Sequence, residues 1–190
     1  MMSTKERMSK RKKLTQKKKA TQIGTAKPMD VAALSNPTPF EGMLSDIFED
    51  TGDDTPLRKA QDILYYAWGE TDSRRRIALA RKALEISPDC ADAYVVLAEE
   101  TAGSLTEALN LYRQGVEAGE RALGKDTFEE DAGHFWGILE TRPYMRARAG
   151  LAECLWVSSK HEEAIQHYKD MLRLNPNDNQ GICDTLMTIA

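Results

Sequence analysis

From Thr55 to the end of the chain, apolar residues recur every three or four positions, and Gly or Pro breaks the pattern at regular intervals. Leu57, Ala60, Ile63, Leu64 and Ala67 share one helical face, which predicts a helix from Thr55-Pro56 to about Trp68. A second helix is predicted from about Ser73 to Ser87, with Ile77, Ala80, Ala83, Leu84 and Ile86 inward and Pro88-Asp89 ending it. A third runs from about Cys90 to Ala102, with Tyr94, Leu97 and Ala98 inward. Ser104 and Glu107 form a capping box for a fourth that stops near Leu123, before Gly124. A short helix is expected between Asp126 and Leu139. Thr141 is the expected N-cap of a helix reaching Ser158, and Ser159 with Glu162 a capping box for one from about Lys160 to Leu174. A final apolar stretch covers 182–190. Period-two alternation and hairpin turns between β-branched runs are both missing, so the expected class is all-α.

Charge divides the chain in two. Residues 1–27 hold ten Lys or Arg against Glu6 alone, a net of +9, while the remainder carries −13. A segment this polar cannot bury enough surface to offset its ordering entropy, so residues 1–27 are expected to be a disordered arm. Lys10, Arg11, Lys12, Lys13, Lys17, Lys18 and Lys19 are a candidate contact for nucleic acid or another polyanion. A purely solubilising arm and an intramolecular contact with the acidic body are the other readings. Residues 28–54 read as a linker with one short capping helix, opened by Thr38-Pro39-Phe40-Glu41 and carrying Phe40, Met43, Leu44, Ile47 and Phe48 at helical spacing. The stretch 55–190 is the helical domain.

Candidate chemistry is sparse. Cys90, Cys154 and Cys183 are far apart within apolar patterns and are expected to be reduced and buried. The spacing of His134, His161 and His167 makes no metal site, and no Gly-rich phosphate loop or nucleophile elbow appears. No metal, cofactor or catalytic group is therefore expected; an enzyme centred on His134 is the least favoured class. Acidic pairs such as Glu99-Glu100 read as solvated helix faces. No apolar run is long enough to span a membrane, and the Lys-rich start lacks the apolar stretch of a secretory signal, so a cytoplasmic location is expected. The block His134 to Tyr144 is dense in aromatics. It reads as packing between helices, with Trp136, Arg142 and Tyr144 as candidate partner contacts, since aromatics and Arg are favoured interface anchors.

The stretch Ala108-(x3)-Tyr112 repeats as Ala164-(x3)-Tyr168, and Ala83 to Asp89 repeats in outline as Met171 to Asn177. This resembles the tetratricopeptide repeat, a helix-turn-helix unit. The match is good over Met145 to Asp178, where Leu151, Ala152, Ala164, Tyr168 and Pro176 occupy the family's positions. Units lie at about 57–90, 91–124 and 145–178, with a partial helix at 179–190. The first departs from the pattern at Arg76, where the family has a small residue, and the middle one has a shorter turn. Small residues at Ala98, Ala108, Ala152 and Ala164 would allow close helix approach. A narrower resemblance rests on Arg81 to Ile86, Ala91 to Glu100 and Ala118-Gly119-Glu120: the chain is similar to a bacterial tetratricopeptide-like family and to the eukaryotic suppressor-of-tumorigenicity proteins.

These resemblances imply a right-handed superhelix of antiparallel helix pairs with a peptide-binding concave face. In that frame Asp92, Val95, Glu99, Arg146, Ala149, Glu153 and Trp156 line the groove. Val95 and Ala149 stand where a chaperone-tail clamp has Lys, and Glu99 and Glu153 where it has Asn, so the expected ligand is a basic or mixed peptide of a partner protein. The apolar face of 182–190 has no following helix in this sequence; the readings are a piece of a longer chain, self-association, or a diverged end.

Overall fold

The computed structural model describes residues 55–189, which form seven α-helices and no strand. The basic arm and the helix expected near Phe40 lie outside the described residues. α1 is Pro56–Gly69, α2 Ser73–Ile86, α3 Ala91–Thr101, α4 Leu105–Glu130, α5 Arg142–Val157, α6 His161–Leu174 and α7 Ile182–Ile189. Each of the first six packs on the next, and α3 additionally touches both α1 and α5.

Several helix ends follow from local chemistry. Thr55 accepts a hydrogen bond from the Arg58 amide at 3.2 Å, and Pro56 fits the first turn. At α4, Ser104 Oγ accepts from the Glu107 amide and Glu107 Oε2 accepts from the Ser104 amide, completing the box. Gly124 then leaves helical geometry at φ 72°, a conformation glycine adopts without a Cβ penalty, and splits α4 into a long and a short piece.

Other ends differ from expectation. The short helix stops at Glu130 instead of Leu139, and residues 131–141 form turns. Thr141 has αR backbone angles, so its side chain caps nothing; its hydroxyl turns back onto the Phe135 and Ile138 carbonyls. Ser159 does not open α6. It closes α5 in a left-handed conformation (φ 65°), with the Ser159 amide on Trp156 O and the Lys160 amide on Leu155 O, both at 3.0 Å.

The inward faces also shift. α2 buries Leu79, Ala80 and Ala83, while Ile77, Leu84 and Ile86 are half-buried. α3 is buried nearly all round, from Ala91 to Ala98 except Tyr94, because α1, α2, α4 and α5 surround it. Cys90 and Cys154 are buried and burial pushes the Cys90 thiol up to about 12, but Cys183 is exposed. Arg76, the departure from the repeat pattern, bonds Glu100 Oε1 through Nε at 2.8 Å, while Ser73 Oγ donates to Glu100 Oε2 at 2.7 Å. Glu100 is thus a tie between α2 and α3 and not a freely solvated carboxylate.

Ala98, Ala152 and Ala164 are buried in the core, and glycines add further points of close helix approach. α4 and α5 meet through Gly115, whose position faces Ala147 Cβ, and Gly119, which faces Tyr144 Cβ; Gly150 lies beneath the Tyr112 ring. Ile182 is buried on the main core and Leu186 packs against it, whereas Met187 is 73% exposed.

Candidate functional site

Two surfaces gather the predicted residues. The first is built by α1, α3 and α5. Asp92 lies one residue into α3 and is fully buried, so its carboxylate needs partners to offset desolvation. Arg146 of α5 supplies them, with Nε on Oδ1 at 2.8 Å and Nη2 on Oδ2 at 2.5 Å, a two-pronged pair. Gln61 of α1 donates to Asp92 Oδ2 at 2.6 Å. Asp92 therefore joins three helices and is no groove contact; that expectation is corrected by its burial.

The Arg146 guanidinium sits 4.4 Å from the Trp68 ring centroid, within cation–π range. Trp68 leans on Tyr65, one turn earlier, with centroids 6.0 Å apart. These two rings remain 39% and 47% exposed although they are large and apolar. Burial raises the Tyr65 phenol above its ordinary value and Arg146 opposes this; the nearby Asp92, Asp62 and Glu140 carboxylates push it further up. One guanidinium and three carboxylates thus surround the aromatic shelf. Neither Tyr65 nor Trp68 was singled out from sequence. Both follow the inward-facing Ile63-Leu64 and Ala67 by a single residue, and their off-face positions were the available signal.

Glu99 is exposed on α3 and Glu153 half-buried on α5. Val95 is buried. Trp156 stacks on His161 at 4.1 Å and lies roughly 21 Å along α5 from Arg142, so it marks the other end of this helix.

The second surface is the turn segment 131–141. It is fastened to the end of α6: the Gly133 and Phe135 amides both donate to Leu174 O, at 3.1 and 3.2 Å, satisfying a carbonyl the helix leaves open. Phe135 is buried and forms an aromatic cluster with Phe128 and Tyr144, with centroids 5.0 to 6.2 Å apart. Tyr144, read as a partner contact, is 1% exposed and belongs to this core. Its hydroxyl accepts from Arg148, which also pairs with Asp170 and donates from Nε to His167 Nδ1 at 3.2 Å. Burial lowers the His167 pKa, and the Arg148 charge adds to this.

Trp136 and Arg142 stay half-buried and meet each other. The guanidinium is 5.4 Å from the indole centroid and its Nε donates to Trp136 O at 2.9 Å. They line a cleft of about 500 Å³ with His134, Asn175, Asn177 and Asn179 among its walls. No cluster of three His, Cys, Asp or Glu among the described residues could hold a metal ion, and no described helix is long and apolar enough to cross a membrane.

The model of the ST7 protein family matches residues 47–180. Among curated relatives, the chain is 33% identical over 128 residues to the Protein ST7 homolog of Caenorhabditis elegans, covering 64% of this chain and 24% of that protein. It is 43% identical over 141 residues to the human Suppressor of tumorigenicity 7 protein-like, covering 70% and 24%, and 32% identical over 143 residues to the zebrafish (Danio rerio) protein of that name, covering 73% and 23%. The matched region spans about a quarter of these relatives' length. No solved structure matches the chain.

Proposed function

The chain belongs to the ST7 protein family, and we propose that its α1–α3–α5 face is the peptide-binding groove of a non-catalytic interaction scaffold. The observation carrying this reading is the exposed Tyr65–Trp68 shelf beside Arg146, whose own charge is already taken by buried Asp92. Exposed aromatics backed by a rigid ion pair are the composition of an interface anchor. Arg146 is paired with Asp92 and Asp62 with Arg58, and the carboxylates of Glu140, Glu99 and Glu153 on this face favour a basic or mixed segment of a partner protein. The tetratricopeptide-type superhelix belongs to this proposal; the contacts of α3 with both α1 and α5 support it, because first helices of successive repeats line a shared face.

The test is a comparative capture from native lysate with the wild-type chain and with the Trp68→Ala/Tyr65→Ala and Glu99→Lys/Glu153→Lys variants. A discrete partner lost from both variants, each folded by circular dichroism, supports the groove. Equal capture by all three removes it.

A second reading rests on the +9 charge of residues 1–27. An arm of this kind would attract nucleic acid through Lys10 to Lys13 and Lys17 to Lys19, with steep salt dependence. Association that survives deletion of 1–27 and nuclease treatment rejects it. A cytoplasmic site of action and self-association through 182–190 complete the proposal; sedimentation at rising concentration tests the latter.

A further inference from the structure

The cleft between the 131–141 turns and the end of α6 carries a charge pattern opposite to the rest of the domain. Residues 28–190 hold a net of −13, yet no acidic residue is among the cleft's lining. Arg142 is its one full charge. Its Nε is spent on Trp136 O, and its guanidinium carbon lies 5.4 Å from the indole centroid, two contacts that restrain the side chain. Among the described residues no carboxylate pairs with Arg142, so its two terminal nitrogens keep their donors.

Asn175 is the second, independent observation. It is 4% exposed, it lines the cleft, and its side-chain amide bonds no described group, although its backbone amide and carbonyl are both used. Its carboxamide is thus available to a group that enters the cleft. Asn177, Asn179 and His134 add donors and acceptors around it, while Trp136 and Ile138 supply apolar surface.

We propose that this cleft binds the free C-terminal end of a peptide. The terminal carboxylate meets the two outer nitrogens of Arg142, whose planar fork matches it. Carboxamides both donate and accept, as a peptide bond does, so Asn175 and its neighbours pair with the last amide of the ligand. The last side chain lies on Trp136 and Ile138. The cleft is open to solvent and, at about 500 Å³, has room for the last residues of a peptide. The proposal is independent of the α1–α3–α5 groove, which it does not use.

The probes are N-acetyl-Ala-Ala-Leu with a free carboxylate, the same peptide as its C-terminal carboxamide, and inorganic phosphate, titrated into the full chain and followed by NMR of the Asn side-chain amides and the Trp136 indole N–H. The free acid is expected to shift the Asn175 and Trp136 signals saturably, and the carboxamide to bind at least about tenfold more weakly, since a charge-assisted pair is lost. Arg142→Gln should abolish the acid's advantage. Because that change also removes the bond to Trp136 O, the exposed Asn177→Ala is the companion variant and should weaken the acid while leaving the free protein's spectrum otherwise intact. Equal binding of acid and carboxamide, saturation by phosphate but not by the acid, or absence of saturable shifts with any probe would each overturn the proposal.

Discussion

Gly150→Ala isolates the packing of α4 on α5. A Cβ at position 150 would fall 2.5 Å from Tyr112 Cδ1 and Cζ, and nearer still to Cε1. Ordinary contact begins at 3.4 Å, so the ring must retreat by roughly an ångström or more. It has nowhere to go: Tyr112 is 1% exposed and sits in the cluster that also contains Val116, Tyr144 and Leu151. Overpacking of this kind costs about 1–3 kcal/mol, and more where backbone must shift. Alanine in a helix interior returns about 1 kcal/mol relative to glycine. The contact is severe enough to place the steric cost at the top of its range, leaving a net loss of about 2 kcal/mol. With a urea m-value of about 2 kcal/mol/M, the unfolding midpoint should fall by about 1 M. The control is Gly69→Ala at the end of α1, where an added Cβ meets nothing within 4 Å; its midpoint should stay or rise slightly. A Gly150→Ala midpoint equal to or above that of the wild type, with unchanged m, would refute the account of close approach.

Removing Arg146 as Arg146→Ala leaves the fully buried Asp92 carboxylate uncompensated except by Gln61, and should destabilise the chain by about 3 kcal/mol in the same urea assay. Ser159→Gly relieves a left-handed non-glycine residue and should raise the midpoint by the equivalent of about 1 kcal/mol. His167 has a folded-state pKa lowered by burial and by Arg148, so the unfolded chain binds its proton first. Its contribution is complete above the ordinary pKa of 6.5 and is lost as pH falls below it; His167→Gln should flatten the stability profile between pH 7 and 5. A thiol reagent should label Cys183 alone in the native protein, and Cys90 and Cys154 only after unfolding; hydrogen bonding to Asp178 raises the Cys183 pKa, so labelling should quicken at alkaline pH.

Much of the fold could be read from local pattern. Helix starts at Pro56, Ser73 and Leu105 are written in Thr55-Pro56, Asp72-Ser73 and the Ser104/Glu107 box, because caps involve residues three or four apart and need no tertiary partner. The break at Gly124 is equally local. Errors came where one residue type served two local purposes. Ser159 has the chemistry of an N-cap, but the last turn of α5 took it as a C-terminal residue. Thr141 likewise serves the turn before it and not the helix after it.

The candidate sites were legible only in part. Trp136 and Arg142 were read as contacts for a partner protein; the structure brings them against each other. Which polar residues are buried could not be read, since hydrophobic periodicity assigns faces but not depth. Asp92 looked like a groove acid and Tyr144 like a surface aromatic. Asp92 became an interior pivot because Arg146, 54 positions away, and Gln61, 31 positions away, converge on it. Tyr144 is buried because Phe128 of α4 and Phe135 pack against it, the latter in a turn tied to the Leu174 carbonyl. The sequence by itself determined where the helices begin, break and repeat, since those are short-range hydrogen-bonding and dihedral preferences. Only the tertiary structure decided which carboxylate is neutralised, which rings stay in water and which guanidinium keeps its donors, because desolvation depends on every element packed around a group and not on its neighbours in the chain.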